Sequence, residues 1–464
     1  MVLPRPLRAL WGDLTSEEIK KFLLLSATFF CIVGTYWMLR VMKDGIFNYF
    51  VDLTYQPRAK MISILVVVLA VAFYGKLVDL LRRKTLFYTI LFFYGVCFLA
   101  MSYLMLNPYL VYGFQSMISG FVPGGEAAIL GWGSYLLLES FGSIVIGALF
   151  WAIVASTTTA ESAKRGYGMI MSLGQVGTIL GTGLVMYVTE LNSQFLLFGV
   201  GGLILCAAPF FIGKYFALVQ EVSTPASVAA DKKPKTGMLE GLRLLMSHGY
   251  LLGIFVVGTF YEVVGTVVEY QMNMCAKVGA ANAKEASELI TWFKCRSGFV
   301  VGWLAFVFAL VGTSFFMRRF GLRFCLVAFP TMIGLVMVGV FCGYHLGIPQ
   351  SSMVWVFLVA VVIFKALAYA LNNPTKEVMY IPTSKDAKFK AKSWIDAFGN
   401  RVAKGAGAGI NDGLTALVPK ESLVSALLNI GTVISLGIVG FWIVVAMYVG
   451  NKFNQLQKDG TIIE

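Results

Sequence analysis

The feature that most constrains this chain is a long series of apolar segments, each close to the length that crosses a bilayer. A transmembrane helix needs about 20 mainly apolar residues, because the hydrocarbon core is about 30 Å thick. Of the 464 residues, 58% are hydrophobic and 13% are charged, a composition that argues against a soluble protein. Twelve segments meet the length requirement: 21–42, 59–81, 85–106, 128–154, 166–188, 194–217, 249–271, 295–317, 321–343, 353–372, 394–416 and 424–449. We therefore predict an all-α, polytopic membrane protein with 12 transmembrane helices.

Basic residues are distributed unevenly over the loops between these segments. The cytoplasmic loops of a membrane protein carry the excess of Lys and Arg. One alternating set of loops is basic: 82–84, 164–165, 232–235, 318–323 and 376–392. The other set has no Lys or Arg in three of its loops: 107–127, 189–194 and 344–352. This alternation predicts that both termini are cytoplasmic.

A polar, proline-containing segment at 219–238 separates six apolar segments from the next six. The loops Gly75–Lys84 and Arg318–Arg323 occupy corresponding places in the two halves, and the first resembles a conserved loop of the major facilitator superfamily. We predict an N-terminal six-helix bundle over 1–218, a cytoplasmic linker over 219–238 and a C-terminal six-helix bundle over 239–464. The resemblance of the first loop, together with two sets of six segments, predicts a two-bundle transporter. In a transporter of this kind the substrate site lies near mid-membrane between the halves.

Two local patterns predict details of these helices. Thr15 and Glu18 have capping-box spacing just before the first apolar segment. Gly174, Gly177 and Gly181 recur along the fifth segment, which is typical of a seam where two membrane helices approach closely.

The region from 372 to 412 is dense in charge although it lies between and within apolar segments. Lys392, Asp396, Asn400 and Lys404 recur every fourth residue, so on an α-helix they form one polar stripe. A charge inside a bilayer costs at least ~2.5 kcal/mol and needs a partner or a watery cavity. Two interpretations are open: a substrate site, and an ion-paired packing helix.

Three stretches of this region carry a resemblance to a known family. They read Asn-Pro-Thr-Lys-Glu-Val-Met-Tyr-Ile-Pro (373–382), Lys-Ala-Lys-Ser-Trp-Ile-Asp (390–396) and Arg-Val-Ala-Lys-Gly-Ala-Gly (401–407). They resemble the ATP/ADP translocase family of nucleotide transporters, found in plastids and obligately intracellular bacteria. The resemblance implies a nucleotide cargo and alternating access. No Ser- and Arg-rich transit peptide is seen, which within this family implies a bacterial inner membrane.

Ionisable residues inside other apolar segments extend the resemblance. Arg40-Val-Met-Lys43-Asp44 resembles the family's Arg-Asp-Thr-Lys-Asp, and Glu139 matches a family glutamate before Gly-Ser-Val-Val. Glu269 resembles the acidic residue of the family's Leu-Val-Glu-Val-Thr-Trp-Lys, but Asn273 stands where the family has its lysine. This departure predicts a poorly neutralised Glu269, which favours proton coupling. For Glu262 a structural ion pair is one of two open interpretations.

A nucleotide offers several negative charges and a flat base, so its carrier needs cations for the phosphates and an aromatic slot for the ring. We assign Lys43, Lys392, Arg401 and Lys404 to the phosphates. Glu139 and Glu269 either pair with cations in the empty carrier or bind protons. The predicted substrate-binding residues are Arg40, Lys43, Glu139, Glu269, Lys376, Glu377, Lys392, Asp396, Arg401 and Lys404. The aromatic candidates for the base are Tyr36, Trp37, Tyr261, Tyr270 and Trp394.

Several alternatives remain beside this reading. Transport could be nucleotide exchange or proton symport, and a facilitator-type proton symporter of a different anionic metabolite would also explain the intramembrane glutamates. A membrane enzyme or lipid-scrambling scaffold would need a catalytic constellation, and no Ser/His or His/Asp pattern supports one. The chain has no Gly-x-x-x-x-Gly-Lys-Ser/Thr motif, so nucleotide hydrolysis is not expected.

The remaining expectations concern partners. We expect no enzyme activity, no cofactor and no metal, and the protein is predicted to be a monomer in the lipid bilayer. The basic residues are scattered over many loops, which argues against a nucleic acid partner. Cys275 and Cys295 flank a predicted external loop and are either a disulfide or two free thiols.

Overall fold

A computed structural model describes residues 15–158, 160–222, 245–311, 314–384 and 394–460, together with Arg243, Lys392 and Ile462. These residues form helices and turns, with no β-strand among them. The α-helices are α1 (Ser16–Phe50), α2 (Gln56–Leu80), α3 (Arg83–Leu106), α4 (Tyr112–Ile118), α5 (Ala128–Phe141), α6 (Trp151–Thr157), α7 (Ala160–Tyr187), α8 (Leu191–Ala207), α9 (Pro209–Val222), α10 (Gly249–Val278), α11 (Ala283–Val311), α12 (Ser314–His345), α13 (Met353–Leu367), α14 (Asn373–Met379), α15 (Asn400–Leu417), α16 (Leu423–Ala426) and α17 (Thr432–Asp459).

Ten helical segments of the described ranges are long and apolar enough to cross a membrane: Ser16–Phe50, Leu53–Leu80, Arg83–Leu106, Ala128–Val154, Gly166–Tyr187, Leu191–Val219, Gly249–Val278, Gly321–His345, Met353–Met379 and Leu423–Asp459. The predicted all-α membrane architecture is therefore confirmed. The predicted spans 295–317 and 394–416 fall on α11 and α15, which are not among the ten. The polar residues Arg401, Lys404 and Asp412 lower the hydropathy of α15.

Contacts within the chain divide it into two compact units. The first unit is Met1–Val228 with Ala280–Phe306, and the second is Ala229–Gly279 with Val307–Glu464. Most of α11 therefore belongs to the first unit, although it follows α10 of the second. The predicted linker lies largely outside the described residues, so the division into two six-helix bundles stays a prediction.

The first unit is built around α1, which packs against α5, α7, α8 and α9. A capping box starts this helix, as predicted: the backbone N–H of Glu18 donates to the Thr15 hydroxyl, and the N–H of Thr15 donates to the Glu18 carboxylate. The predicted glycine seam is also confirmed. A Cβ on Gly177 would lie 2.8 Å from the Phe30 carbonyl oxygen, so only glycine lets α7 approach α1 this closely.

The second unit is built around α10, which packs against α13, α15 and α17, while α12 packs against α13 and α17. Close approach again depends on glycine, because a Cβ on Gly407 of α15 would lie 2.6 Å from the Val263 carbonyl oxygen of α10. Apolar rings fill the space between the outer helices, where Phe329 and Trp442 meet edge to face at 5.2 Å.

Across the part of the chain that the structure describes, four π-helical stretches interrupt the α-helical pattern, and wider turns of this kind are frequent at functional sites. They are Gly142–Phe150, Ala368–Asn372, Ile395–Gly399 and Leu427–Gly431. The first follows Glu139, the second precedes the Asn373–Pro382 stretch, and the third contains Asp396. Three of the four therefore adjoin residues that the sequence predicts for the substrate site.

Candidate functional site

Lys43 and Glu139 form an ion pair inside the first unit. Helix α1 continues past the predicted span end at residue 42 to Phe50, so Lys43 lies within the helix and is buried. Its ammonium contacts the carboxylate of Glu139, on α5, and lies 3.9 Å from the centroid of the Tyr135 ring. Both predicted site residues are thus brought together, and the ring face adds a cation–π contact.

The neighbouring residue Asp44 pairs with Lys294 of α11, again within the first unit. The other carboxylate oxygen of Asp44 accepts from the Gln56 amide at 3.1 Å. Lys294 is not among the residues predicted from the sequence, because a lysine at the edge of a predicted span is usually hydrated. The position of Lys294 could have indicated a role, because this lysine directly precedes the predicted span 295–317 in a loop that is expected to be external.

Polar contacts continue along the same face of α11. The Thr291 hydroxyl donates to the Gln194 side-chain oxygen at 3.0 Å, and the Asn48 amide donates to the Ser287 hydroxyl at 3.1 Å. A Cβ on Gly45 would lie 2.5 Å from the Ser287 carbonyl oxygen, so glycine permits the close approach of α11 to α1. This seam is polar where most helix contacts of the first unit are apolar.

Arg40 lies one turn before Lys43 on α1. Its guanidinium donates to the Tyr36 hydroxyl and lies 5.1 Å from the Trp37 ring centroid. Two of the predicted aromatic candidates are therefore already in contact with a cation of the site.

In the second unit, Glu269 of α10 pairs with Lys365 of α13 at 2.8 Å. The prediction that Glu269 is poorly neutralised is therefore wrong. The family's lysine four residues later on the same helix is absent, but a lysine from another helix supplies the charge. A pair between α10 and α13 requires tertiary structure, so the local sequence could not indicate it.

Lys404 of α15 lies 3.6 Å from the Glu262 carboxylate of α10, which also accepts from the Tyr261 hydroxyl at 2.8 Å. Glu262 is thus in an ion pair, the structural interpretation that the sequence left open. Lys392 instead pairs with Glu377 of α14 at 2.6 Å. The π-helical turn Ile395–Gly399 lies between these two lysines, so the regular α-helical stripe expected from the sequence is not formed.

The other predicted residues are placed as follows. The Lys376 side chain passes beside Gly258 of α10, and Arg401 lies in the first turn of α15. The side chain of Asp396 lies outside the described part of the structure. Tyr270 is 1% exposed and its hydroxyl lies 3.3 Å from that of Thr415, so it packs within the second unit. Cys275 and Cys295 are free thiols.

Both units contain lysines that are paired with carboxylates of other helical segments. In the described ranges, the following five lysines each pair with a carboxylate on a different helical segment: Lys43, Lys294, Lys365, Lys392 and Lys404. Cations paired in this way can exchange a carboxylate for the oxyanion of a ligand at modest net cost. Apolar helices of membrane-spanning length together with paired charges between helices are typical of a membrane transporter of an anionic cargo.

Comparison with known proteins gives the family. A family model described as TLC ATP/ADP transporter matches residues 5–453, so the chain belongs to that family. The protein is accordingly a nucleotide transporter and not an enzyme, and the prediction from the three sequence stretches is confirmed. A carrier of a different anionic metabolite is not favoured.

Relatives and solved structures agree with this assignment. The chain is 26% identical to ADP,ATP carrier protein 1 of Chlamydia muridarum, over 91% of this chain and 87% of that one. It is also 26% identical to the chloroplastic ADP,ATP carrier protein 2 of Arabidopsis thaliana, over 95% and 76%. Among solved structures, a D-xylose-proton symporter superposes with a TM-score of 0.61 at 13% identity, over 94% and 97%, which shows a shared fold.

Proposed function

We propose that the protein exchanges adenine nucleotides, ATP against ADP, across a bacterial inner membrane by alternating access. The observation that carries this proposal is the set of lysine–carboxylate pairs in a chain of the TLC family. In each unit a phosphate oxygen of the cargo would replace the carboxylate beside a lysine: Glu139 at Lys43 in the first unit and Glu262 at Lys404 in the second. Arg401, about one turn before Lys404 on α15, is proposed as a further cation of the second unit. When the cargo leaves, each carboxylate returns to its lysine, so no charge is left uncompensated in the membrane.

We assign the remaining predicted residues the following roles in nucleotide exchange. Arg40 extends the cationic surface by one turn of α1, and its aromatic partners Tyr36 and Trp37 are candidates for the base. Lys376, Glu377 and Lys392 would form the entrance, because the Lys392–Glu377 pair is the most exposed of the five, with Glu377 57% exposed. Asp396 is proposed as a further counter-charge.

Uptake into liposomes by the purified protein tests the function. Labelled ATP should enter vesicles preloaded with ADP and should enter empty vesicles far more slowly. A panel of other labelled nucleotides, with unloaded vesicles lacking protein as the control, defines the cargo range. Failure to move any nucleotide under every loading condition would refute nucleotide transport.

The mode of coupling is a separate question with its own test. Exchange is proposed over proton symport because Glu269 has its charge compensated by Lys365 at 2.8 Å and Glu139 is paired with Lys43. An uncoupler should therefore leave ATP/ADP exchange unchanged. Proton symport would instead be indicated by uptake that needs no internal nucleotide, stops with the uncoupler, and loses that sensitivity in Glu139→Gln or Glu269→Gln.

We propose that both termini lie in the cytoplasm. We also propose that the protein is a monomer. Single cysteines near Ser116 and Gly347 of a Cys-free protein should react with an impermeant reagent from outside. A cysteine at Ala229, in the predicted linker, should react only after permeabilisation. Labelling of Ala229 from outside would reverse the topology, and the mass of the detergent-solubilised protein measured by light scattering tests the monomer.

A further inference from the structure

Arg296 of α11 differs from the lysines of the site in having no carboxylate beside it. Within the described residues it forms no ion pair, and its terminal nitrogen Nη1 is shielded from solvent without a hydrogen-bond partner. An N–H of a half-buried guanidinium that lacks a hydrogen-bond acceptor raises the free energy of a folded membrane protein, unless a ligand accepts a hydrogen bond from it. Arg296 is therefore a candidate for contact with something other than the protein.

The Trp292 ring fixes the orientation of this guanidinium. Arg296 Cζ lies 3.3 Å from the ring centroid, so the planar group is stacked on the indole one turn earlier on α11. Stacking places the indole on a face of the guanidinium and not on its edge, where the N–H donors, among them the unpartnered Nη1, would meet a planar or tetrahedral oxyanion. A fork held in this way binds phosphate or carboxylate oxygens bidentately.

The position on α11 also separates Arg296 from the pair already described. Residues two apart on an α-helix point in nearly opposite directions, since each residue turns the helix by about 100°. Lys294 faces α1 and Asp44, so Arg296 leaves α11 on another side. Val300 and Trp303 are exposed at 42% and 48% and share that side of the helix with Trp292 and Arg296. The guanidinium thus lies at the border between packed and accessible surface.

We propose that Arg296, stacked on Trp292, is a phosphate-binding residue of this carrier. The inference rests on the proposed function in naming the nucleotide as the source of the phosphate. The same oxyanion is also present in lipid headgroups, which can reach the exposed side of α11. The chemistry of recognition is common to both sources, and the experiment separates them.

The first arm of the experiment is titration of the purified full chain, in nanodiscs of phosphatidylcholine, with ATP, ADP and adenosine. Arg296→Gln should weaken ATP and ADP binding about tenfold, the value of one charge-assisted hydrogen bond, and change adenosine binding little. Arg296→Lys should recover part of the loss, since an ammonium keeps the charge without the fork. Trp292→Leu should give an intermediate loss. The matched control is Lys214→Gln, which removes another cation, stacked on Phe210 at 4.2 Å, and should bind like the wild type.

The second arm measures thermal unfolding of the same variants in nanodiscs with and without phosphatidylglycerol. If the phosphate comes from lipid, Arg296→Gln keeps its nucleotide affinity but loses the stabilisation that phosphatidylglycerol gives the wild type. Wild-type behaviour of Arg296→Gln in both arms overturns the proposal. A wild type that binds no nucleotide would instead refute the proposed function, and the lipid arm would still test Arg296.

Discussion

The Asp44–Lys294 pair of the first unit is more deeply buried than the ion pairs of the second unit. In the first unit the side chains of Asp44 and Lys294 are 2% and 14% exposed, whereas Glu139, the partner of the buried Lys43, is 29% exposed. In the second unit those of Lys365 and Lys404 are 30% and 35% exposed. The Asp44–Lys294 pair is therefore closed over by packed helices, whereas the Lys365 and Lys404 pairs and the carboxylate of Glu139 are partly accessible.

This difference implies different roles for the two sets of charges. Removing one partner of a buried pair leaves a charge without compensation and costs stability, whereas an accessible ion can be solvated when its partner leaves. We expect substitutions at Asp44 and Lys294 to act mainly on folding. Substitutions at Lys404 and Arg401 should act mainly on binding.

The largest expected effect belongs to Asp44→Asn. The change keeps the shape but leaves Lys294 without its carboxylate, and breaking a buried pair costs roughly 3 to 5 kcal/mol of stability. Thermal unfolding of the detergent-purified protein measures the loss. The matched control is Glu377→Gln, where the carboxylate is 57% exposed and the loss should be about 1 kcal/mol or less.

A double variant sharpens this result. Asp44→Asn with Lys294→Met removes both charges, and should be more stable than Asp44→Asn alone because no charge remains buried without compensation. Equal losses in Asp44→Asn and Glu377→Gln would show that burial does not decide how much an ion pair contributes to the stability of this protein.

An intermediate effect, on binding, is expected at Lys404 and Arg401. Lys404→Ala and Arg401→Ala should each weaken nucleotide binding by roughly 1.5 to 3 kcal/mol, the usual contribution of a charge-assisted hydrogen bond, with folding intact. Lys404→Arg should restore only part of the nucleotide affinity, because a planar guanidinium does not replace a compact ammonium. Calorimetric titration of each variant provides the measurement. Lys420→Ala, in the exposed loop after α15, is the control, and wild-type affinity in both alanine variants would make these residues structural.

Much of this molecule follows from local sequence patterns. The apolar segments, the capping box at Thr15 and the glycine seam at Gly177 each depend on spacing along one helix, and each was predicted. The pairing of Lys43 with Glu139 joins residues 96 positions apart, so a resemblance could suggest both residues but not their contact. Lys294 was overlooked for the same reason, since only the fold brings it to Asp44.

The π-helical turn at Ile395–Gly399 shows a second limit of sequence reasoning. The intrinsic preferences of its residues do not distinguish a bond to the fourth residue from one to the fifth, so the sequence predicts a regular helix there. Tertiary packing decides between them. The consequence is functional, because Lys392 and Lys404, expected on one stripe, pair with α14 and α10 respectively.

The smallest effect is expected at the exposed end of the second unit. Lys392 pairs with a carboxylate that is 57% exposed, so Lys392→Ala should change stability by about 0 to 1 kcal/mol. If Lys392 serves the entrance, its effect on nucleotides is long-range attraction, which salt screens over about 10 Å at 0.1 M and 3 Å at 1 M. Lys392→Ala should therefore slow ATP association at low salt and match the wild type at high salt, whereas the Lys404→Ala defect should persist. Stopped-flow binding at both salt concentrations makes the comparison. A Lys392→Ala defect that survives high salt would place Lys392 in direct contact with the cargo and remove the distinction between the entrance and the inner part of the second unit.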